Sequence, residues 1–187
     1  MILFVIISFS SCAAEESISP HGYYTLLTKS KDFMAFCLYI ANEQNPYWGQ
    51  VISRLYYSYF TLARLVHIAK TGLYEQEKHT VIWQQNKKEV RKQFGIELKH
   101  LRTYYDYDYH SSIESKDTLR NNLMFILNNR KAFNDLIKDV KEQIPKYYKH
   151  EKNKDEWINK CNKELESIIE IQADLEKIVQ KAIDKRE

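Results

Sequence analysis

Residues 47–70 read YWGQVISRLYYSYFTLARLVHIAK, and their pattern predicts a long amphipathic helix. Apolar residues recur at three- and four-residue steps, which places them along one stripe of a helix. The stripe consists of Ile52, Leu55, Tyr56, Tyr59, Leu62, Ala63 and Val66. Gly72 follows the last turn, and glycine is the residue that most often ends a helix. We therefore expect this segment to bury one face against other parts of the fold.

The composition of the 187-residue chain favours one domain built from long helices. It has only 4 Gly and 3 Pro, too few chain breakers for a sandwich or barrel with many turns. The net charge of +3 is too small to identify a nucleic-acid binder by itself. Cys12, Cys37 and Cys161 lack the spacing of a metal site and form no even disulfide set. We predict an all-α protein and no metal or cofactor.

Four further helices are predicted around the first one. They span about 23–45, 77–94, 96–104 and 116–144. Chain breakers set their limits at Asn45-Pro46, Gly95 and Pro145. Residues 104–115 are expected to form an irregular connection.

The C-terminal segment, residues 146–187, predicts an additional long amphipathic helix. Its apolar residues alternate at three- and four-residue steps, as in a heptad seam. They are Trp157, Cys161, Leu165, Ile168, Ile171, Leu175, Ile178 and Ala182. Ten basic and ten acidic residues in this segment leave it neutral. Such a helix needs a partner, either the body of the same chain or the matching helix of a second copy.

Residues 1–20 form an apolar N-terminal segment ahead of a predicted body at 21–145. The opening MILFVIISFSSC has the length of a signal peptide, and Cys12 lies in a loose lipoprotein-like cleavage box. However, no Lys or Arg precedes the apolar run, which is too short to span a bilayer. A misassigned start, or packing on the body, is the other interpretation. We predict a cytoplasmic protein, with a membrane-anchored lipoprotein through Cys12 as the alternative.

Polar chemistry is concentrated in residues 99–110, which read KHLRTYYDYDYH. The candidate residues are Arg102, Asp106, Tyr107, Asp108 and His110. Together they could bind and act on a phosphate ester. They could equally form a hydrogen-bonded knot between helices, with Arg102 and Asp106 paired at i, i+4. Residues 87–102 carry six basic and two acidic side chains, which indicates either attraction to a phosphate backbone or an ordinary solvated face.

Three blocks resemble the conserved blocks of the HEPN family of prokaryotic helical proteins. They are Ser53-Arg54-x-Tyr56-Tyr57, His79-x-x-Ile82 and Leu101-Arg102-x-x-x-Asp106-Tyr107. The resemblance covers residues 22–144 and implies an up-and-down helical bundle that often dimerises with its motif segments facing. It also implies a toxin or antiphage effector, often paired with a nucleotidyltransferase-like antitoxin.

The same resemblance implies roles for individual residues. Active HEPN proteins are metal-independent ribonucleases in which four to six residues separate an arginine from a histidine. Here Arg102 would bind phosphate, His110 would act as acid or base, and Asp106 would orient one of them. Seven residues separate Arg102 from His110, and Asp106-Tyr107 matches a sub-branch that includes binding modules. The expected substrate-binding set is Ser53, Tyr56, Tyr57, His79, Lys99 and Tyr107.

Two functions of different classes remain open at this point. The first is a metal-independent endoribonuclease of a toxin–antitoxin or antiphage defence system, acting as a homodimer on RNA. The second is a non-catalytic HEPN module that binds nucleotide, RNA or a protein partner. His79 is expected to be a structural hydrogen-bond partner of the motif, with a ligand role as the alternative. Nothing in the sequence indicates specificity for DNA.

Overall fold

The computed structural model describes residues 18–72, 82–83, 89–103 and 116–185, with the side chains of 89–91 and 116–117 excepted. Within these ranges the chain forms six helices and no strand. The helices are α1 (Pro20–Ala41), α2 (Trp48–Thr71), α3 (Glu89–Thr103), α4 (Lys116–Asn128), α5 (Arg130–Tyr147) and α6 (Lys154–Asp184). The predicted all-α helical bundle with a long C-terminal helix is confirmed.

Helices α1 and α2 form an antiparallel pair. The Ser30 hydroxyl donates to the Ser58 carbonyl at 3.1 Å, and the Ser58 hydroxyl donates to the Ser30 carbonyl at 3.0 Å. Toward the other end of the pair, the Cys37 thiol donates to the Val51 carbonyl at 3.3 Å. These small side chains let the two backbones approach closely, and their polar atoms are satisfied inside the interface.

Helix α2 is the centre of the bundle, with 17 of its 24 residues buried. It packs on α1, α3 and α5, which explains why it is apolar on more than one side. Its end is as predicted, since Gly72 adopts φ 75° and donates its N–H to the Ile68 carbonyl. The left-handed conformation at this position favours glycine because it has no Cβ.

Helix α3 differs from the prediction at Gly95. A break was expected there, but α3 runs without interruption from Glu89 to Thr103. The indole of Trp83 lies directly against the Gly95 backbone, and a Cβ at this position would overlap the ring. Glycine is therefore needed at this position for close packing and does not end the helix. The rest of the predicted 77–94 helix lies largely outside the described residues.

The predicted helix over 116–144 is two helices, α4 and α5. Asn129 separates them, and its side-chain amide donates to the Phe125 carbonyl at 2.8 Å, competing with the backbone ladder. The predicted stop at Pro145 is also displaced, because α5 continues to Tyr147. Proline in the last turn has no backbone N–H to donate. The helix ends with the Tyr148 backbone N–H donating to the Ile144 carbonyl.

Helix α6 covers the bundle along the same side as α1. Its buried face packs against α1, α4 and α5 of the same chain. The buried positions are Cys161, Leu165, Ile168, Gln172, Leu175, Val179 and Ile183. The predicted seam is wrong at Ile171, Ile178 and Ala182, which are half-buried, because a straight α-helix drifts relative to a strict heptad repeat. Two ion pairs flank the seam, Lys31 with Glu164 at 2.6 Å and Arg130 with Glu176 at 3.3 Å. Of the two partners considered for this helix, the body of the same chain is the one observed.

An aromatic cluster joins the start of α1 to the turn between α5 and α6. It consists of Tyr23, Tyr147, Tyr148 and Trp157, with ring centroids 4.1 to 5.8 Å apart for neighbouring pairs. The Tyr148 hydroxyl donates to the Pro20 carbonyl at 2.8 Å, and the Tyr147 hydroxyl donates to the Ile18 carbonyl at 2.6 Å. We call this group the base cluster; it fixes the beginning of α1 against the end of α5.

Candidate nucleic-acid interface

The guanidinium of Arg102 lies over two tyrosine rings of α2. Its Cζ is 5.1 Å from the Tyr57 ring centroid and 5.9 Å from the Tyr56 ring centroid. Both distances are within the range of cation–π attraction. Arg102 is in the last turn of α3, and α3 runs antiparallel to α2, so the third motif block meets the first in space.

The α2 side of the site contains Ser53, Tyr56 and Tyr57. Ser53 and Tyr56 are buried, whereas Tyr57 is half-buried. Burial raises the pKa of Tyr56 to about 12, and the Trp83 indole and the Arg102 charge only partly oppose that rise. The Tyr56 hydroxyl is therefore neutral near pH 7 and serves as a hydrogen-bonding group, not as a base.

Lys99 is one turn before Arg102 on α3 and is also half-buried. The Thr103 hydroxyl donates to the Lys99 carbonyl at 3.0 Å, which reinforces the final turn that carries both cations. Two cations so close on one helix raise the local positive potential beside the tyrosines.

Five of the predicted candidate residues lie outside the described residues. These are His79, Asp106, Tyr107, Asp108 and His110. Their proposed roles as acid, base, orienting group or ligand stay predictions.

Two neighbours of the site were missed by the sequence reasoning. Phe33 of α1 packs against Tyr57 with ring centroids 5.7 Å apart. Phe36 lies one turn after Phe33, and Arg54 lies one turn before Tyr57. The Arg54 guanidinium is 5.8 Å from the Phe36 ring centroid. In the sequence, Phe33 and Phe36 are three residues apart, as are Arg54 and Tyr57. This matching spacing was the only available signal, and the pairing of α1 with α2 is what brings the two sets of residues together.

A separate groove of about 440 Å³ lies between α3 and α4. It is lined by Glu97, His100, Leu101, Thr118, Asn122 and Phe125. These α3 residues face α4, whereas Arg102 faces α2, so the groove is not part of the Arg102 site. Among the described residues no group of His, Cys, Asp or Glu side chains could hold a metal ion. No helix in the described ranges has the length and apolarity needed to cross a membrane.

Comparison with protein-family models, curated proteins and solved structures found no match to this chain. The HEPN resemblance therefore rests on the motif residues themselves. Of its three blocks, the structure describes the first completely, Ile82 of the second, and Leu101 with Arg102 of the third.

Proposed function

We propose that this protein binds RNA at the Arg102 site as a HEPN-type protein of a toxin–antitoxin or antiphage defence system. The observation that carries the proposal is the placement of the Arg102 guanidinium over the Tyr56 and Tyr57 rings. It supports the proposal because residues 45 positions apart in sequence, singled out by their resemblance to one family, converge at a single place.

The chemistry of the site suits a phosphodiester beside a base. Arginine stays charged at every physiological pH, and its planar fork can donate two parallel hydrogen bonds to phosphate oxygens. The two tyrosine rings limit the rotamers of Arg102, which lowers the entropy cost of binding an anion. Tyr57 is half-buried, so the site keeps some exposed aromatic surface beside the guanidinium.

Metal-independent cleavage is the finer form of this proposal. The ribose 2′-oxygen would attack the adjacent phosphorus, a base would take the 2′-proton, and an acid would protonate the departing 5′-oxygen. The products are a 2′,3′-cyclic phosphate and a 5′-hydroxyl. Arg102 would stabilise the phosphorane charge. His110 is the proposed acid or base, with Asp106 orienting it.

The remaining elements of the proposal concern partners and location. A homodimer would bring two Arg102 sites together, and a nucleotidyltransferase-like antitoxin would be the cognate inhibitor. Action on cellular RNA requires a cytoplasmic location. A non-catalytic module that binds RNA, nucleotide or a protein at the same residues is the second candidate, favoured by the seven-residue separation of Arg102 and His110.

The test measures binding and cleavage of single-stranded RNA in EDTA by the full chain. We expect Arg102→Ala to weaken RNA binding about tenfold or more, because it removes charge-assisted hydrogen bonds. Arg102→Lys keeps the charge but not the fork, and should recover only part of the affinity. Thermal unfolding of both variants shows whether the fold is retained.

The outcomes separate the two candidates. Cyclic-phosphate products that Arg102→Ala and His110→Ala each reduce about a hundredfold or more would support the ribonuclease. Binding without cleavage would leave the non-catalytic module. Wild-type affinity in a folded Arg102→Ala variant would remove the Arg102 site from both.

A further inference from the structure

Two aromatic side chains of α1 are exposed on the surface of the bundle. Phe36 is 44% exposed and Tyr39 is 67% exposed. Their rings are nearly parallel, with centroids 6.3 Å apart and an interplanar angle of 12°. The chain buries most other described aromatic rings completely or in large part, so an exposed parallel pair at one place points to a ligand.

This pair continues along α1 from the residues that contact the Arg102 site. Tyr57 contacts both Arg102 and Phe33. Phe36 follows Phe33 by three residues on α1, and Arg54 precedes Tyr57 by three residues on α2 and lies over the Phe36 ring. The result is a line of rings with guanidinium groups at two points. We call it the aromatic–arginine track.

We propose that the aromatic–arginine track binds single-stranded RNA, with bases stacked on Phe36 and Tyr39 and phosphates paired with Arg54 and Arg102. This inference rests on the proposed function and extends it from one phosphate to a short strand. Bases in a duplex are already stacked and paired, so only an unpaired strand can use these rings.

The track has the dimensions and charge for such a ligand. From Phe33 to Tyr39 is about 9 Å along the helix axis, at about 1.5 Å per residue. That length corresponds to about two or three nucleotides of a stacked strand at about 3.4 Å each. Interleaved aromatic and cationic groups match an alternation of flat bases and phosphates. Asp32 beside Phe33 offsets part of the positive charge, and the exposed Glu43, one turn beyond Tyr39, disfavours continuation of an anionic strand past that point.

A purely apolar partner would be a poorer match. Two guanidinium groups lie along the track, and an apolar partner would offer them no hydrogen-bond acceptor. The experiment must nevertheless be able to detect a second copy of the chain or another protein bound at this face.

The experiment uses the full chain and a fluorescein-labelled oligouridylate about 12 nucleotides long, followed by fluorescence anisotropy. We expect Phe36→Leu and Tyr39→Leu each to weaken binding about fivefold or more, because each removes a stacking surface. The matched controls Phe36→Tyr and Tyr39→Phe keep the ring and should bind within about twofold of wild type. Affinity for a preformed RNA duplex should not change in any of these variants.

Failure of the track and failure of the Arg102 site give different patterns. If Arg102→Ala weakens binding but the two leucine variants do not, the track is wrong and the Arg102 site stands. If neither class of variant changes the affinity, both are wrong. If Phe36→Leu converts a dimer to a monomer in light scattering and leaves RNA affinity unchanged, the face is a protein interface and the track is overturned.

Discussion

The base cluster and the aromatic–arginine track are both built from aromatic residues, but these residues have different surroundings in the two regions. In the base cluster Tyr147 and Tyr148 donate their hydroxyls to backbone carbonyls within the chain. The lysine over the Trp157 ring, Lys160, is paired with Glu156 at 2.6 Å. In the track, rings lie beside arginines, and Phe36 and Tyr39 are open to solvent.

If the track binds RNA as proposed, the chain divides an abundant residue type between stability and recognition. A tyrosine whose hydroxyl is bonded inside the chain contributes to folding and has little left to offer a ligand. A ring that is only half covered, next to a guanidinium, contributes less to folding and keeps a surface for binding. The two regions should therefore respond differently to the same class of substitution.

The largest expected effect is on folding, at Tyr148. Tyr148→Ala deletes a fully buried ring and its hydrogen bond to the Pro20 carbonyl. We expect the free energy of unfolding to fall by about 3–5 kcal/mol, as for other buried aromatic truncations. Urea denaturation measures this loss. RNA affinity measured where the variant is still folded should be unchanged, and a parallel loss of affinity would contradict the division between the regions.

The matched control is Tyr23→Phe in the same cluster. The Tyr23 hydroxyl is buried and has no hydrogen-bond partner within the described part of the chain. Its removal should change the free energy of unfolding by less than about 0.5 kcal/mol, or stabilise the fold slightly, because a buried unpaired hydroxyl is unfavourable. A large loss on Tyr23→Phe would show that this hydroxyl is bonded after all.

A smaller loss of stability is expected for a substitution at Gly95, and this substitution should also affect the aromatic–arginine track. The Gly95→Ala methyl would overlap the Trp83 indole, so α3 or the indole must shift away from its present position. We expect a loss of about 1–3 kcal/mol, typical of overpacking. Because α3 carries Arg102, RNA affinity should fall as well. A Gly95→Ala variant with lower stability and wild-type affinity would mean that the position of α3 does not control the site.

The effect expected at Tyr56 is confined to the alkaline range. Burial raises its pKa to about 12 from the ordinary 10, so the fold favours the neutral phenol. Its contribution to stability is complete below pH 10 and is lost as the pH rises through about 12. Tyr56→Phe should therefore make the free energy of unfolding less dependent on pH between about 10 and 12. An unchanged slope would mean that Tyr56 is not buried as described; Tyr57→Phe, at a half-buried ring, is the control.

Local patterns predicted the helices well where one face is clearly apolar. The limits of α2, including Gly72, follow from periodicity and from the conformational freedom of glycine. The expected limits failed at Asn45-Pro46, Gly95 and Pro145, since α1 already ends at Ala41, and the separation of α4 from α5 at Asn129 was not expected. At Gly95 packing decides, because the Trp83 indole needs glycine inside the helix. At Asn129 the side chain donates to the Phe125 carbonyl between the two helices.

The candidate site was only partly accessible to the same reasoning. Arg102, Tyr56 and Tyr57 were candidate site residues from the motif blocks, and the structure places the Arg102 guanidinium over both rings. Phe33 and Phe36 were not expected at this surface, because their relation to Tyr57 and Arg54 depends on which faces of α1 and α2 meet. Sequence spacing predicts which residues share a face of one helix, but it does not predict which residues of two helices meet.

The sequence by itself determined the all-α class, the apolar stripe of α2 and the residues of the HEPN-like blocks. These follow from the helical period, the scarcity of Gly and Pro, and residue identity, all of which are local properties. Only the tertiary structure decided that α6 packs within its own chain and that Arg102 lies over the α2 tyrosines. It also decided that two exposed rings of α1 continue from that site. These relations depend on long-range packing, in which the antiparallel pairing of helices selects the side chains that meet.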